Sequence, residues 1–208
     1  MQRREVLFAV CVVVALAAIT EGMEFSGALV GSSVQMAEVN AMVDLFNGAN
    51  DSEIPRLQVA LGAELRGSLQ LFPWLSPQVG LRVQRASSGA DRETVSASFV
   101  AITLGNQTEL GPWHWKLDVG LMRSAFSFPA SLYESLTGWS VGLTTSAGYS
   151  FRLGQRLSAE AALRFQWAPV NRMHDTEGAT YQARHGPLLS FTGFGLLIEI
   201  HLLNQEPK

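Results

Sequence analysis

The feature that most constrains the fold is a regular alternation of apolar and polar side chains along residues 139–167. A repeat of two residues is typical of β-strands, because successive side chains of a strand point to opposite faces. The alternation breaks at residues 154–156 and then resumes. A loop of odd length keeps both apolar faces on one side and sets Leu153 opposite Leu157. The stretch therefore predicts a β-hairpin with one apolar and one polar face.

The polar face of this hairpin carries charged residues, and they indicate which face meets which surroundings. Arg152, Glu160 and Arg164 share it with glycine and serine, whereas the apolar face ends in aromatic residues. In a membrane barrel the apolar face contacts lipid and the polar face lines the interior. A basic residue turned toward lipid would cost roughly 2–4 kcal/mol at the midplane. We therefore predict apolar side chains outside and charged side chains inside.

The N-terminus indicates export. Arg3 and Arg4 precede a short apolar stretch, residues 6–19, which is followed by small residues. This pattern is typical of a cleaved secretory signal peptide, with an N-terminal membrane anchor as the alternative. We expect cleavage after Gly22, with Ala17 as the other candidate position, so that residues 1–22 are the signal and 23–208 are one barrel domain. Cys11 is the single cysteine, so we expect no disulfide and no thiolate metal site after cleavage.

The same alternation recurs along the rest of the chain and predicts about eight strands. The expected strands are residues 24–32, 57–71, 78–84, 94–104, 113–125, 139–153, 157–167 and 190–202. Long and short connections alternate between them, as they do in membrane barrels. The orientation of strand 94–104 stays open, because apolar residues occupy both of its faces. We predict an all-β fold, a single antiparallel up-and-down transmembrane barrel, with the long connections on the extracellular side.

One segment has helical periodicity. Residues 33–47 lie in the first long connection, and Ser32 with Gln35 resembles a capping box at its start. Apolar side chains recur on one helical face: Met36, Val39, Val43 and Phe46. The opposite face carries acidic residues without basic ones, so we do not expect it to bind an anionic membrane surface. We predict that the helix folds over or into the barrel mouth. The expected contacts there are Val30, Met122, Phe126 and Phe128.

Aromatic side chains group at two levels of the predicted barrel. Trp74, Trp113, Trp115 and Tyr149 fall at the end with short connections. Trp139 and Trp167 fall at the opposite end. Such grouping is typical of aromatic girdles at the two membrane interfaces.

The interior of an eight-stranded barrel is just wide enough for side chains to fill it. The charged residues predicted to line it nearly balance: Glu64, Arg66, Arg82, Lys116, Asp118, Arg152, Glu160, Arg164 and Glu199. Buried charges need partners, so we predict a closed interior filled with ion pairs, including one between Arg152 and Glu160. The alternative is a narrow or gated passage that carries or binds small molecules, hydrophobic ones included.

These patterns resemble the small bacterial outer-membrane β-barrels of the OmpA, OmpX and OmpW-like class. The last strand, GFGLLIEIHL, is similar to the C-terminal assembly signal of that class, with Gly195, Ile198 and Ile200 at alternating positions. It departs from the usual form, because no aromatic residue closes it and residues 203–208 follow. The resemblance implies an outer-membrane location, contact with outer-membrane lipids and lipopolysaccharide, and recognition by the insertion machinery. The closed interior predicted from the charged residues favours a structural or surface-interaction role.

A lipid-modifying enzyme is a third, less favoured interpretation. The last long connection holds His174, Asp175, Glu177, Tyr181 and His185. Histidines this far apart in a loop indicate catalysis or metal binding only weakly, and no activated serine motif is near them. We predict a monomer without enzymatic activity, cofactor or metal. The net charge of -3 gives no indication of a nucleic-acid partner.

Overall fold

The computed structural model describes residues 23–50, 53–72, 74–89, 94–128, 135–182 and 186–202. The predicted signal peptide and His185 lie outside these residues. The described residues form one helix and twelve strands: β1 (Met23–Ser33), α1 (Ala37–Asn50), β2 (Val59–Leu69), β3 (Ser76–Ser88), β4 (Val95–Leu110), β5 (Trp113–Ser127), β6 (Leu136–Arg152), β7 (Leu157–Trp167), β8 (Pro169–Val170), β9 (Arg172–His174), β10 (Thr180–Gln182), β11 (Leu189–Ser190) and β12 (Gly193–Leu202).

Eight of these strands, β1–β7 and β12, close into an antiparallel barrel. Each strand from β1 to β6 pairs with the next, and β12 pairs with both β7 and β1. Closure removes the long exposed edges that an open sheet would leave, because each of the eight strands pairs with a neighbour on both sides. The predicted eight-stranded up-and-down barrel is confirmed. No described helix is long and apolar enough to cross a membrane.

The β6–β7 hairpin has the predicted loop. The backbone N–H of Leu153 donates to the Leu157 carbonyl at 3.0 Å, and that of Gly154 donates to the same oxygen at 3.1 Å. Residues 154–156 therefore form the three-residue connection. The odd length keeps the apolar side chains of β6 and β7 on one face, as the alternation requires.

The barrel wall has its apolar face outside. Leu163 and Ile198 are 69% and 62% exposed, whereas the neighbouring Arg164 and Glu199 are each 1% exposed. The structure also fixes the orientation of β4, which its own pattern leaves open. Phe99 points inward and is buried, while Ile102 points outward and is exposed.

The two ends of the barrel differ in their connections. Residues 70–75, 111–112 and 153–156 join strands at one end, where β1 begins and β12 ends, and we call it the turn end. Gly111 has a φ of 65° in the two-residue turn, a left-handed conformation that favours glycine. The other end, the loop end, carries connections 34–58, 89–94, 128–135 and 168–192. Short turns at one end and long loops at the other agree with the predicted distribution.

The helix α1 lies at the loop end but begins later than predicted. Ser32 is still part of β1, where it pairs with Ala60 and Gly195, so the predicted capping box is wrong. Instead, two asparagines attach the helix to the segment that leads into β2. Asn40 exchanges hydrogen bonds of 2.8 and 3.0 Å with the backbone of Leu57. Asn47 does the same with Ile54, at 2.9 and 3.0 Å.

The apolar face of α1 closes the loop-end mouth. Met36, Val39 and Val43 are buried, and the ring of Phe46 packs edge-on against Phe128 with centroids 5.2 Å apart. We call this cluster the apolar plug. It consists of residues from α1, from the segments on either side of α1, from the loop-end part of the barrel wall and from the β7–β12 connection. Its buried members are Val34, Met36, Val39, Val43, Ile54, Leu57, Ala60, Ala86, Val95, Ala97, Phe99, Ala101, Met122, Phe126, Leu136, Ala168, Val170, Met173, Leu188, Leu189 and Phe191.

Of the contacts predicted for the helix, Met122, Phe126 and Phe128 belong to this plug. The predicted contact with Val30 is wrong. Val30 packs in a separate small cluster with Ala28, Ala162 and Leu197. That cluster lies on the inner face of the wall formed by β1, β7 and β12, where Val30 pairs with Leu197 across β1 and β12.

Candidate functional site: the barrel interior and the loop-end groove

Charged side chains fill the interior between the apolar plug and the turn end. Eight acidic and basic side chains are buried in the described part of the chain: Glu64, Arg66, Arg82, Lys116, Asp118, Glu160, Arg164 and Glu199. Four are acidic and four are basic, so their formal charges cancel while the histidines are neutral. We call this set the ion-paired interior. It contains every predicted lumen residue except one.

Arg152 is that exception. Its side chain is exposed at the last position of β6, opposite Ser158. The predicted ion pair between Arg152 and Glu160 is therefore wrong. Arg152 has the parity of an inward residue, but it lies at the rim, where a long side chain can extend into solvent.

Glu64 is the centre of the ion-paired interior, because its carboxylate binds three arginines. Arg66 donates from Nε to Oε1 at 2.7 Å. Arg82 donates to both oxygens, at 3.0 and 3.1 Å. Arg164 donates from Nη2 to Oε2 at 2.7 Å. These hydrogen bonds join charged groups, and the contact from Arg82 is bidentate. Both features make them stronger than hydrogen bonds between neutral groups.

Asp118 shares the cations around Glu64. Its Oδ2 accepts a hydrogen bond from Arg66 at 3.3 Å, and its Oδ1 accepts one from the side-chain amide of Gln78 at 2.6 Å. Gly105 lies beside it, and a Cβ atom there would come within 2.1 Å of Asp118 Oδ1. The glycine in the neighbouring strand therefore provides the space that the carboxylate occupies.

A layer of amides separates the ion-paired interior from the apolar plug. Gln166 donates to the side-chain oxygen of Gln84 at 3.0 Å and to the backbone carbonyl of Phe191 at 2.9 Å. Gln84 in turn donates to Ser32 Oγ at 2.8 Å. The cavity at this junction measures about 10 Å³, which is room for about one water molecule.

A second charged group lies nearer the turn end. Glu160 and Glu199 are directly opposite each other in the β7–β12 ladder. Two like charges in this position destabilise the pairing of the strands. Lys116 Nζ compensates by donating to Glu160 Oε2 at 2.9 Å and to Glu199 Oε2 at 2.6 Å. Two histidines adjoin the pair. His201 Nε2 is 3.4 Å, and His114 Nδ1 3.7 Å, from Glu160 Oε2.

The aromatic residues predicted at the membrane interfaces all have exposed side chains. At the turn end, Trp74, Trp113, Trp115 and Tyr149 have exposed side chains. At the loop end, Trp139 and Trp167 are exposed. Trp74 lies in the turn between β2 and β3, whereas the other five lie on the outer face of the strands. That is the position that interface anchoring requires.

The wall also contains a groove at the loop end, which the sequence analysis did not predict. Pairing between β6 and β7 stops at Leu143 and Trp167, although β6 continues to Leu136. Beyond that point β9 contacts β6 at Thr137. The resulting groove has a volume of about 940 Å³. Its lining residues are Gln35, Trp139, Ser140, Val141, Trp167, Pro169, Asn171, Arg172, Gln182, Gly186, Pro187, Ser190 and Thr192.

The polar residues of the last connection, which are the weak candidates for catalysis, build a turn. The Asp175 carboxylate accepts hydrogen bonds from the backbone of Glu177 at 3.0 Å and of Ala179 at 2.9 Å. Tyr181 Oη donates to the other Asp175 oxygen at 3.0 Å. His174 contacts Thr180 Oγ1 at 3.1 Å. These contacts hold the β9–β10 hairpin together.

Comparisons with known proteins bear on this architecture. No protein-family model matches the chain, and no curated protein does. Among solved structures, Neisserial surface protein A (NspA) is similar, with a TM-score of 0.50 at 10% identity, over 88% of this chain and 97% of that one. The chain has the fold of the small outer-membrane β-barrels. The identity is too low to indicate more than this outer-membrane barrel fold.

Two further outer-membrane barrels were found at lower similarity. The attachment invasion locus protein Ail of Yersinia pestis, solved with the heparin analogue sucrose octasulfate, has a TM-score of 0.49 at 11% identity, over 88% of this chain and 98% of that one. OprG of Pseudomonas aeruginosa has a TM-score of 0.37 at 9% identity, over 87% of this chain and 92% of that one.

Proposed function

We propose that this chain is an integral protein of the bacterial outer membrane with a closed interior and a structural or surface-interaction role. The observation that carries the proposal is the filled interior. The ion-paired interior, the amide layer and the apolar plug follow one another along the barrel axis. Each layer is packed from side chains that the wall or α1 supplies. The apolar outer wall supports this location, because a wall covered with exposed leucine and isoleucine side chains is stable in contact with lipid.

Planar-bilayer conductance tests the closed interior. We expect no steady channels from the reconstituted wild type, because eight buried charged side chains fill the ion-paired interior. The variant Val43→Asp places a carboxylate in the apolar plug and should displace α1 from the mouth. It should also be silent, since the layer around Glu64 closes the barrel independently.

The matched control is Leu45→Asp, which changes a 76% exposed residue on the opposite side of the same helix. Steady channels from the wild type would contradict the closed interior. Channels from Val43→Asp alone, with Leu45→Asp silent, would show that α1 is a gate and favour the alternative function of a gated passage.

The loop-end groove favours a second candidate function, the binding of an amphipathic molecule from the outer leaflet. Trp139, Val141 and Trp167 offer an apolar surface on the lipid-facing wall. Arg172 and Gln182 add hydrogen-bond donors above it. An acyl chain with an anionic or hydroxylated head group has the matching chemistry.

Native mass spectrometry of the protein extracted from outer membranes tests this binding. We expect wild type to retain one lipid or lipopolysaccharide molecule, and the double variant Trp139→Ala and Trp167→Ala to lose it. Trp115→Ala is the control, because it removes an exposed tryptophan at the turn end. Equal retention by all of these proteins would mean that the groove is not the binding site.

A further inference from the structure

One histidine nitrogen in the interior lacks a hydrogen-bond partner. His201 is 8% exposed. Its Nε2 atom is buried and makes no hydrogen bond of acceptable geometry. A buried polar atom without a partner is costly, and native structures rarely leave one without a reason. The position of this nitrogen therefore needs a physical account.

The neighbours of His201 Nε2 are two carboxylates at distances that suit a shared metal ion. Nε2 is 3.4 Å from Glu160 Oε2 and 3.8 Å from Glu199 Oε1. One ligand atom from each of these three residues lies within 4.8 Å of the others. Around a tetrahedral Zn²⁺ with bonds of about 2.0–2.1 Å, neighbouring ligand atoms are roughly 3.4 Å apart. The distances from His201 Nε2 to the two carboxylate oxygens are long for hydrogen bonds. They are close to the distance between neighbouring ligand atoms around a Zn²⁺ ion.

The hydrogen-bond partners of the two carboxylates orient them for this arrangement. Lys116 Nζ holds the Oε2 atoms of Glu160 and Glu199. Ser26 Oγ donates to Glu199 Oε1, the oxygen on the His201 side. With neutral histidines, Glu160, Glu199 and Lys116 sum to a charge of −1. The group therefore still favours an added cation, although Lys116 competes for the same carboxylates.

We propose that Glu160, Glu199 and His201 form a binding site for one divalent transition-metal ion such as Zn²⁺. An imidazole nitrogen with two carboxylate oxygens suits Zn²⁺ and related ions better than Ca²⁺ or Mg²⁺, which prefer oxygen alone. Three protein ligands leave a fourth position for water. His114 lies beside the site, with its Nδ1 in contact with Gln107 at 2.9 Å.

The site lies near the turn end. His201 is one residue from the end of β12, and its side chain is 10% exposed. Glu24 is near enough to His201 and Glu109 to interact electrostatically with both, and it is only half-buried. These acidic residues line the turn-end mouth and favour the entry of cations over anions.

Metal titration of the untagged protein in detergent micelles tests the proposal. Co²⁺ absorption reports the ligand geometry, and calorimetry with Zn²⁺ gives stoichiometry and affinity. We expect one ion per chain, with binding weakened at least about tenfold in His201→Gln and in Glu160→Gln. Ca²⁺ and Mg²⁺ should not displace the bound Co²⁺.

His174→Gln is the matched control, because His174 is exposed at the loop end and should not affect binding. Heat-dependent gel mobility shows whether each variant is folded. Since His201→Gln keeps a polar side chain of similar size, it should retain the barrel even if Glu160→Gln does not. Failure of the wild type to bind Co²⁺ or Zn²⁺ would overturn the proposal, as would unchanged binding in folded His201→Gln.

Discussion

Glu64→Gln should lower the free energy of unfolding by about 3–5 kcal/mol, the usual effect of removing one partner from a buried ion pair. Glu64 is the shared counterion of Arg66, Arg82 and Arg164. A neutral amide leaves three buried guanidinium groups without that charge. Urea unfolding of the protein in lipid vesicles, followed by tryptophan fluorescence, measures the change.

Two further variants make the test specific. Glu53→Gln is the same chemical change at an exposed carboxylate and should have little effect. Combining Glu64→Gln with Arg164→Met should recover part of the loss. The reason is that Arg164 makes one hydrogen bond to Glu64, while its Nε and Nη1 have no partner. If Glu64→Gln alone leaves stability unchanged, the interior is hydrated and the closed-barrel proposal is wrong.

Ile198→Arg should destabilise the protein in a bilayer by about 2–4 kcal/mol, as expected for a lipid-facing arginine near the midplane of a barrel. Ile198 is 62% exposed near the middle of β12. In water, an exposed isoleucine would tolerate arginine with little change. The result therefore separates a wall in contact with lipid from a wall in contact with solvent.

Leu45→Arg is the control for this second prediction. Leu45 is also largely exposed, but it lies on α1 at the loop end, outside the membrane-spanning strands. We expect the same substitution there to leave the unfolding free energy almost unchanged. Equal effects at Leu45 and Ile198 would contradict the membrane location proposed for the barrel wall.

The strands and their orientation could be predicted because they depend on local chemistry. The β6–β7 hairpin needs only its own alternation and its three-residue loop. The inward direction of Arg164 and Glu199 follows from the energy of exposing such groups to lipid. Each of these inferences uses residues that are adjacent in the chain.

Other features depended on parts of the chain distant in sequence. The orientation of β4 is set by the apolar plug, in which Phe99 packs edge-on against Phe191 at 4.8 Å between ring centroids. Alternation within β4 contains no information on that contact. Alternation alone was also misleading for Arg152. Its position in the strand predicts an inward side chain, but the packed interior ends before the rim at which Arg152 lies. The β6–β7 groove likewise arises where the pairing of two strands ends.

The sequence by itself determined which side chains face outward and which face the axis, because direction along a strand is a local property with a period of two. The tertiary structure alone decided which inward side chains meet. Closing eight strands into a barrel staggers them, and that stagger sets the height at which each side chain reaches the interior. Glu64 meets Arg164 because closure brings β2 and β7 to face each other across one narrow interior. Glu160 approaches His201 because β7 and β12, which are separated by the last long connection, pair with each other.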